Sequence, residues 1–298
     1  MTDDRLPSLE DLAKKYYAAD DLTRKSPTYL RSYERILEHR RQDRLSILEL
    51  GIASGASLLS WHDYLPNATI VGIDIDEAPA RVRNLDRVHI IQGSQDDPRV
   101  LDRAGALVGG GFDLIVDDAS HIGYLTKRSL TYLFPRLLVP GGWYAIEDFG
   151  TGYLPDYADG QRWTGPIWSD AVPGNALFRS SQYGMVGVVK QLVDHLMQEL
   201  TVGTRPYLAI ERLVIETNIA FIEKSLKPGA SAPEEGAIHP ADIRPAELAE
   251  LATLVKLQGK RLADLERVLD RVRRFLAPAL WLRRKFGVRG GDRSRSDL

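Results

Sequence analysis

Residues 116–121 read VDDASH: two carboxylates, Asp117 and Asp118, close an apolar run, and His121 follows three residues after the second. Another acidic pair, Glu147 and Asp148, closes the run GWYAIED. Carboxylates hold hard divalent cations, and an imidazole moves protons near neutral pH. If the two runs are neighbouring strands, their ends lie roughly 5–10 Å apart. Asp118, Glu147 and Asp148 would then converge on one point. Carboxylates so placed repel one another and shift their pKa values unless a cation lies among them. Asp117 has a plainer alternative, since an acid at a strand end also caps the following helix.

Such groups need strand ends to stand on. LSILELG (45–51), TIVGIDID (69–76), VHIIQG (88–93), FDLIVDD (112–118) and GWYAIED (142–148) are short apolar runs, each ending in Gly or an acid. Runs of this kind suit strands buried on both faces of a parallel sheet. Helix-length segments separate them at 56–64, 78–85, 99–107 and 125–138. The alternation predicts an α/β fold with a doubly wound, mostly parallel, Rossmann-like sheet. Right-handed crossovers bring every strand's C-terminal end to one edge, where ligands bind. LAIERLVIETNIAFIEKS (208–225) reads as two strands with a short connection, an antiparallel hairpin that closes the sheet. Residues 8–42 are helix-prone: SLED can cap a first helix, and a second is expected over 28–41. A further helix is expected over 186–200.

The same edge carries candidate cofactor residues. ELGIASGAS (49–57) links the first strand to the first helix, with Gly51 and Gly55 allowing a tight turn and close backbone approach. The helix start beyond it offers free N–H groups. The glycines are four apart, so this is neither GxGxxG nor a phosphate-binding P-loop. Asp74 ends the second strand, 23 residues after Gly51, where an acid accepts ribose hydroxyls. Asp76 is its alternative two residues on. After the third strand, the loop QGSQDD places Gln92, Ser94, Gln95 and Asp96 where polar groups bond a base edge. Glu49, Gly51, Ser54, Gly55, Asp74, Asp76 and these four make up the expected nucleoside pocket.

These features in this order resemble a class I S-adenosylmethionine-dependent methyltransferase over residues 45–225. QGSQDDP, VDDASH, LFPRLLVPGGWYAIEDFGTGY and YLRSYERIL narrow the resemblance to the metal-dependent sugar O-methyltransferases, which act on macrolide sugars and on mycobacterial saccharides. The resemblance implies S-adenosylmethionine and Mg²⁺ or Mn²⁺ as cofactors. It implies a metal held by Asp118, Glu147 and Asp148, with His121 of the D-x-x-H motif as general base. Asp117 then faces the cofactor or supports the ligands. Family members often carry Asp-Lys and a His ahead of the Tyr in the N-terminal segment. Here TRKSPTY keeps Lys25 with no matching Asp or His, while Tyr29 and Tyr33 remain. The implied acceptor is a sugar hydroxyl of an oligosaccharide or glycosylated natural product, a mycobacterial mannose polysaccharide precursor being one candidate. The cation acidifies and orients the hydroxyl, and the base takes its proton. The competing readings are a catechol-like acceptor at the same metal and a non-enzymatic scaffold that binds the cofactor.

The 149–185 stretch lacks periodicity and is rich in Gly, Pro, Trp and Tyr. A loop that long inside a compact domain is usually functional. Tyr153, Tyr157, Trp163 and Trp168 are its candidate sugar-stacking residues. The chain has 298 residues, 44% of them hydrophobic and 27% charged, with a formal charge of −2. That composition is ordinary for a soluble globular protein and carries no signal for nucleic acid. The absence of cysteine excludes disulfides and thiolate-bound zinc. No apolar run reaches the roughly 18 residues of a membrane span, and the first residues do not read as a secretory signal, so a cytoplasmic location is expected.

The expected layout is an N-terminal helical lid over 1–42, the core over 43–227, a linker over 228–244 and a helical tail over 245–298. In the tail, Leu251, Val255, Gln258, Leu262, Leu265, Leu269, Val272 and Leu276 step by alternating fours and threes. That is a heptad seam and predicts a homo-oligomer. From Lys260 onward, 12 Lys/Arg against 5 Asp/Glu give a local +7, allowing weak peripheral contact with an anionic membrane. Removing the residues after Pro228 is expected to lower the particle mass in light scattering; an unchanged mass would eliminate self-association through the tail.

Overall fold

A computed structural model describes residues 6–18, 24–154, 156–161, 167–168, 178–179, 184–203 and 206–229. Helix α1 (Leu9–Tyr16) opens with a capping box, the Ser8 side chain accepting from the Asp11 N–H while the Asp11 carboxylate accepts from the Ser8 N–H. Helix α2 (Pro27–Leu37) is capped by Ser26, with Pro27 in its first turn. It ends earlier than the sequence predicts, in a 3₁₀ turn at Glu38–Arg40. The core alternates β1 (Ser46–Leu50), α3 (Ala56–Tyr64), β2 (Thr69–Asp74), α4 (Ala80–Arg83), β3 (Val88–Gln92), α5 (Pro98–Val108), β4 (Phe112–Asp117), α6 (Gly123–Arg136) and β5 (Leu138–Glu147). A 3₁₀ turn at Phe149–Tyr153, the short α7 (Ala158–Gln161) and the two-residue strands β6 (Ile167–Trp168) and β7 (Phe178–Arg179) follow. Then come α8 (Gly184–Val202), β8 (Ile210–Glu216) and β9 (Ile219–Lys224).

The main sheet has seven strands in the order β3-β2-β1-β4-β5-β9-β8. The first five run parallel, and β9 pairs antiparallel with both β5 and β8. This is the doubly wound, mostly parallel sheet with a closing hairpin that the sequence predicts. Strand β5 begins earlier than expected, because Leu138 pairs with Phe112 across an irregularity in the register. The chain crosses from β1 to β2 on one side and from β1's other neighbour, β4, on the other. The reversal of strand order therefore lies between β1 and β4, where such sheets bind ligands.

Each strand of the main sheet feeds two cores. Ile47, Ile70, Leu114, Val116 and Ala145 face α1, α2 and α3, while Leu48, Leu50, Val71, Ile73 and Ile115 face the α5, α6 and α8 side. On the first face Tyr33 is fully buried and meets Trp61 and Phe221 edge-on, both at 5.1 Å between ring centroids. Each such aromatic pair adds about 0.5–1.5 kcal/mol beyond its buried area. The N-terminal helices are thus packed as part of the core. Among the described residues no helix is long and apolar enough to cross a membrane. The expected linker beyond Gly229 and the heptad tail lie outside the described residues.

One buried acid tightens the ligand edge from below. Asp117 is 1% exposed; it accepts from Gln95 Nε2 and from the Tyr144 hydroxyl, both at 3.0 Å. Burial pushes its pKa from 3.8 up to about 7, against those two hydrogen bonds. A carboxyl with a raised folded pKa binds more protons folded than unfolded between those two values. Its contribution to stability therefore falls as pH rises through that window. In Asp117→Asn the amide keeps an acceptor for Gln95 and a polar group for Tyr144 without the charge. Its melting temperature relative to the wild type is expected to rise between pH 5 and pH 8; a difference independent of pH would contradict this.

Candidate active site

Strands β1, β4 and β5 are neighbours and end at one edge. On the face carrying Ile47, Val116 and Ala145, the next side chains in the two-residue alternation are Glu49, Asp118 and Glu147. Lys25 lies over all three. Its Nζ is 2.7 Å from Asp118 Oδ2, 2.7 Å from Glu147 Oε1 and 3.3 Å from Glu49 Oε1, and its side chain is 3% exposed. The start of α2 fixes where Lys25 enters, since Ser26 Oγ accepts from the Thr28 N–H at 3.2 Å. Glu147 Oε1 also accepts from the Tyr33 hydroxyl at 2.7 Å, and Glu49 Oε2 from Trp61 Nε1 at 3.0 Å.

Burial disfavours the Lys25 ammonium, but the charges of Asp118, Glu147 and Glu49 outweigh it and hold its pKa well above 10.5. Burial pushes Glu147 up to about 8; Lys25 pulls against this and Asp118 adds to it. Burial raises Glu49 as well. Three carboxylates thus face one buried ammonium, Glu49 and Glu147 buried with it and Asp118 partly exposed. Removing one partner of a buried ion pair costs about 3–5 kcal/mol. Lys25→Met is therefore expected to lose stability on that scale in urea denaturation, with part of the loss recovered in Lys25→Met/Glu147→Gln. A loss under about 1 kcal/mol would contradict the role given to Lys25.

Gly51 lets this edge close. Its φ is +92°, and a Cβ there would stand 2.1 Å from the Asp118 carbonyl oxygen. The β1 and β4 ends therefore approach backbone to backbone, which only glycine permits.

A second group lies just outside the first. Asp118, His121 and Asp148 each offer one ligand atom, all within 4.8 Å of one another. Asp148 has φ 53° and His121 φ 53°, left-handed conformations that non-glycine residues adopt at a penalty of order 1–3 kcal/mol. Asp148 is held there by Tyr29, whose hydroxyl donates to Oδ1 at 2.7 Å, and by Asn218 Nδ2 at 2.8 Å. Asn218 also accepts from the Gly150 N–H at 2.6 Å, binding the β8–β9 turn to the segment after β5. His121 Nδ1 is buried without a hydrogen-bond partner among the described residues. The two carboxylates fit a hard divalent cation, and the imidazole beside them, with its buried ring nitrogen unpaired among the described residues, fits a proton acceptor. The resemblance implies the set Asp118, Glu147 and Asp148 with His121 as base. The geometry groups them differently, because Glu147 turns inward to Lys25 and Tyr33 while His121 stands with Asp118 and Asp148.

On the cofactor side, Gly55 takes φ 78° at the start of α3. The Ser54 carbonyl accepts from Arg81 Nε at 2.5 Å. Asp74 Oδ2 accepts from the Ile52 and Ala53 N–H groups at 2.7 and 3.1 Å, and Oδ1 from the Asp76 N–H at 3.0 Å. Asp74 therefore shapes the glycine turn, and Asp76 is the exposed carboxylate beside it. Gln92 donates to the Ile75 carbonyl at 3.2 Å. Ser94 donates to Asp96 Oδ1 at 2.6 Å, and Asp96 pairs with Arg128 at 2.9 Å. Gln95 is buried and bridges Asp117, Ser129 and the Ser120 N–H. The side chains of Asp74, Gln92, Ser94, Gln95, Asp96 and Asp117 thus build the walls of the expected pocket through bonds to one another and to the backbone. Glu49 belongs to the Lys25 cluster instead.

Of the expected stacking residues, Tyr153 closes the 3₁₀ turn after β5 and is partly buried. Trp168 lies in β6, and Trp163 lies outside the described residues. The sequence did not single out Asn218 or the central place of Lys25. The hint for Lys25 was its match to the lysine of the family's Asp-Lys pair in TRKSPTY.

No protein-family model matches the chain. It is 32% identical over 214 residues to the Streptomyces olivaceus 8-demethyl-8-(2-methoxy-alpha-L-rhamnosyl)-tetracenomycin-C 3'-O-methyltransferase, covering 67% of this chain and 50% of that protein. It is 32% identical over 214 residues to the demethylmacrocin O-methyltransferase of Streptomyces fradiae, covering 67% and 49%. Among solved structures, MycE methyltransferase from the mycinamycin biosynthetic pathway, in complex with Mg, SAH and mycinamycin VI, aligns with a TM-score of 0.59 and 28% identity. That alignment covers 78% of this chain and 58% of that one. Fold and relatives together define the chain as a class I S-adenosylmethionine-dependent methyltransferase. Within that class it resembles the sugar O-methyltransferases. The chain spans about half the length of the curated relatives it matches.

Proposed function

We propose that the chain transfers a methyl group from S-adenosylmethionine to a sugar hydroxyl of a glycosylated small molecule or oligosaccharide, with a divalent metal at the acceptor. The convergence of Asp118, His121 and Asp148 beside the Gly51 turn carries this reading. The names of the similar proteins, which include rhamnosyl-tetracenomycin and mycinamicin sugar methyltransferases, supply the acceptor class.

In this reading the turn at Gly51–Gly55 receives the cofactor, and the exposed Asp76 carboxylate accepts its ribose hydroxyls. Asp118 and Asp148 would hold Mg²⁺ or Mn²⁺, which would lower the pKa of the acceptor hydroxyl and orient it. The acceptor oxygen attacks the methyl carbon in line, the carbon–sulfur bond breaks, and the sulfur leaves with the electron pair as a neutral thioether. The hydroxyl proton passes to the His121 imidazole, within reach of both carboxylates. Tyr29 and Asn218 keep Asp148 in place by donating to it and exchange no proton. Self-association through the heptad tail and a cytoplasmic setting complete the proposal.

His121→Ala is expected to lower turnover about 10²–10⁴-fold while Mn²⁺ affinity, read by titration calorimetry, stays within a few-fold. Asp148→Ala is expected to lose Mn²⁺ binding and metal stimulation together. Unchanged turnover in His121→Ala, or loss of Mn²⁺ binding there, would remove His121 as base. The acceptor is tested by offering a glycosylated macrolide, a mannose oligosaccharide and a catechol with and without chelator. Methylation of the catechol alone would overturn the sugar assignment.

A further inference from the structure

The segment after β5 returns to the site through one buried carboxylate. Asp159, in α7, is 2% exposed. Its Oδ2 accepts from the Gly123 N–H at 2.8 Å and from the Met185 N–H at 3.1 Å. These amides lie in the first turns of α6, with 14 residues, and α8, with 19. First-turn N–H groups have no partner within their own helix, and both helix dipoles favour an anion there. The packing leaves no slack. A Cβ on Gly123 would stand 2.1 Å from the Gly184 carbonyl carbon, and one on Gly184 would stand 2.6 Å from Asp159 Oδ2. His121 lies two residues before Gly123, at φ 53°, with its ring edge-on to Tyr157 at 6.1 Å.

We propose that Asp159 is a positioning residue for His121: it fastens α7 to the starts of α6 and α8 and so fixes the strained backbone that aims the imidazole at Asp118 and Asp148. This rests on the acid–base role proposed for His121. Asp159 itself touches no reacting atom. Its carboxylate sets where α6 begins, and the residues just before that start carry the ring. Tyr157, two residues upstream of Asp159, then packs against the imidazole from the same segment.

The test uses the full-length protein with labelled histidine, the His121 resonance being assigned by its loss in His121→Ala. In Asp159→Ala the His121 ring signal is expected to shift or broaden, and kcat to fall at least tenfold with KM and Mn²⁺ affinity within about twofold. Asp159→Asn keeps an acceptor oxygen and is expected to restore the ring signal and most of kcat. Should Asp159→Ala not fold, Gly184→Ala wedges the carboxylate off its donors and is expected to give the same ring shift. An unmoved His121 signal in the folded variant, or a moved signal with kcat within twofold of wild type, overturns the proposal. If the wild type methylates none of the acceptors offered, the functional reading fails, and the ring signal still decides the positioning.

Discussion

The edge of this sheet depends on one lysine. Lys25 is the counter-ion that lets three strands bring together the buried Glu49 and Glu147 and the partly exposed Asp118. Buried carboxylates without a cation would take up protons or force the strand ends apart. The lysine belongs to the N-terminal segment, so that segment is part of the site and its helices are more than a cover. Tyr29, Tyr33 and Lys25 enter from one side of the sheet and touch Asp148, Glu147 and the inner cluster in turn.

Asp118 connects the two groups of charges. One of its oxygens meets Lys25, and its carboxylate also stands with His121 and Asp148. Of the inner carboxylates, Glu147 accepts from Lys25 and Tyr33, and Glu49 accepts from Trp61 and pairs with Lys25 at 3.3 Å. The outer group keeps an imidazole with an orphaned nitrogen and two side chains on left-handed backbone. Strain of that kind persists only where surrounding contacts enforce it. Asn218 and Tyr29 do this for Asp148, and the start of α6 does it for the loop carrying His121. Inner order and outer readiness are thus distributed over different residues of the same strand ends.

Much of this was legible in the chain. Five apolar runs separated by helix-length segments specify a parallel sheet because strands buried on both faces need continuous apolar sequence. Acids at the ends of β4 and β5 fall on the ligand edge by topology alone. The orientation of Glu147 was also within reach, since counting by twos from Ala145 puts it on the face that α2 covers. The partnership with Lys25 was not, because it spans 93 residues to Asp118 and 122 to Glu147. Asn218 reads as an ordinary hairpin-turn residue, and only the docked hairpin reveals that it grips Asp148. Asp74 reads as a ribose ligand by position, and its carboxylate also accepts from the Ile52 and Ala53 amides, a loop contact that no spacing rule encodes.

The central claim is that Lys25 holds the inner carboxylates and leaves Asp118 and Asp148, beside His121, to a divalent ion. Crystals soaked in Mn²⁺ and measured at its absorption edge test this most directly. The account predicts a single anomalous peak bound by Asp118 and Asp148 beside His121, with Lys25 still against Glu147. A peak between Glu49 and Glu147 with Lys25 displaced, or no peak at saturating Mn²⁺, would contradict it.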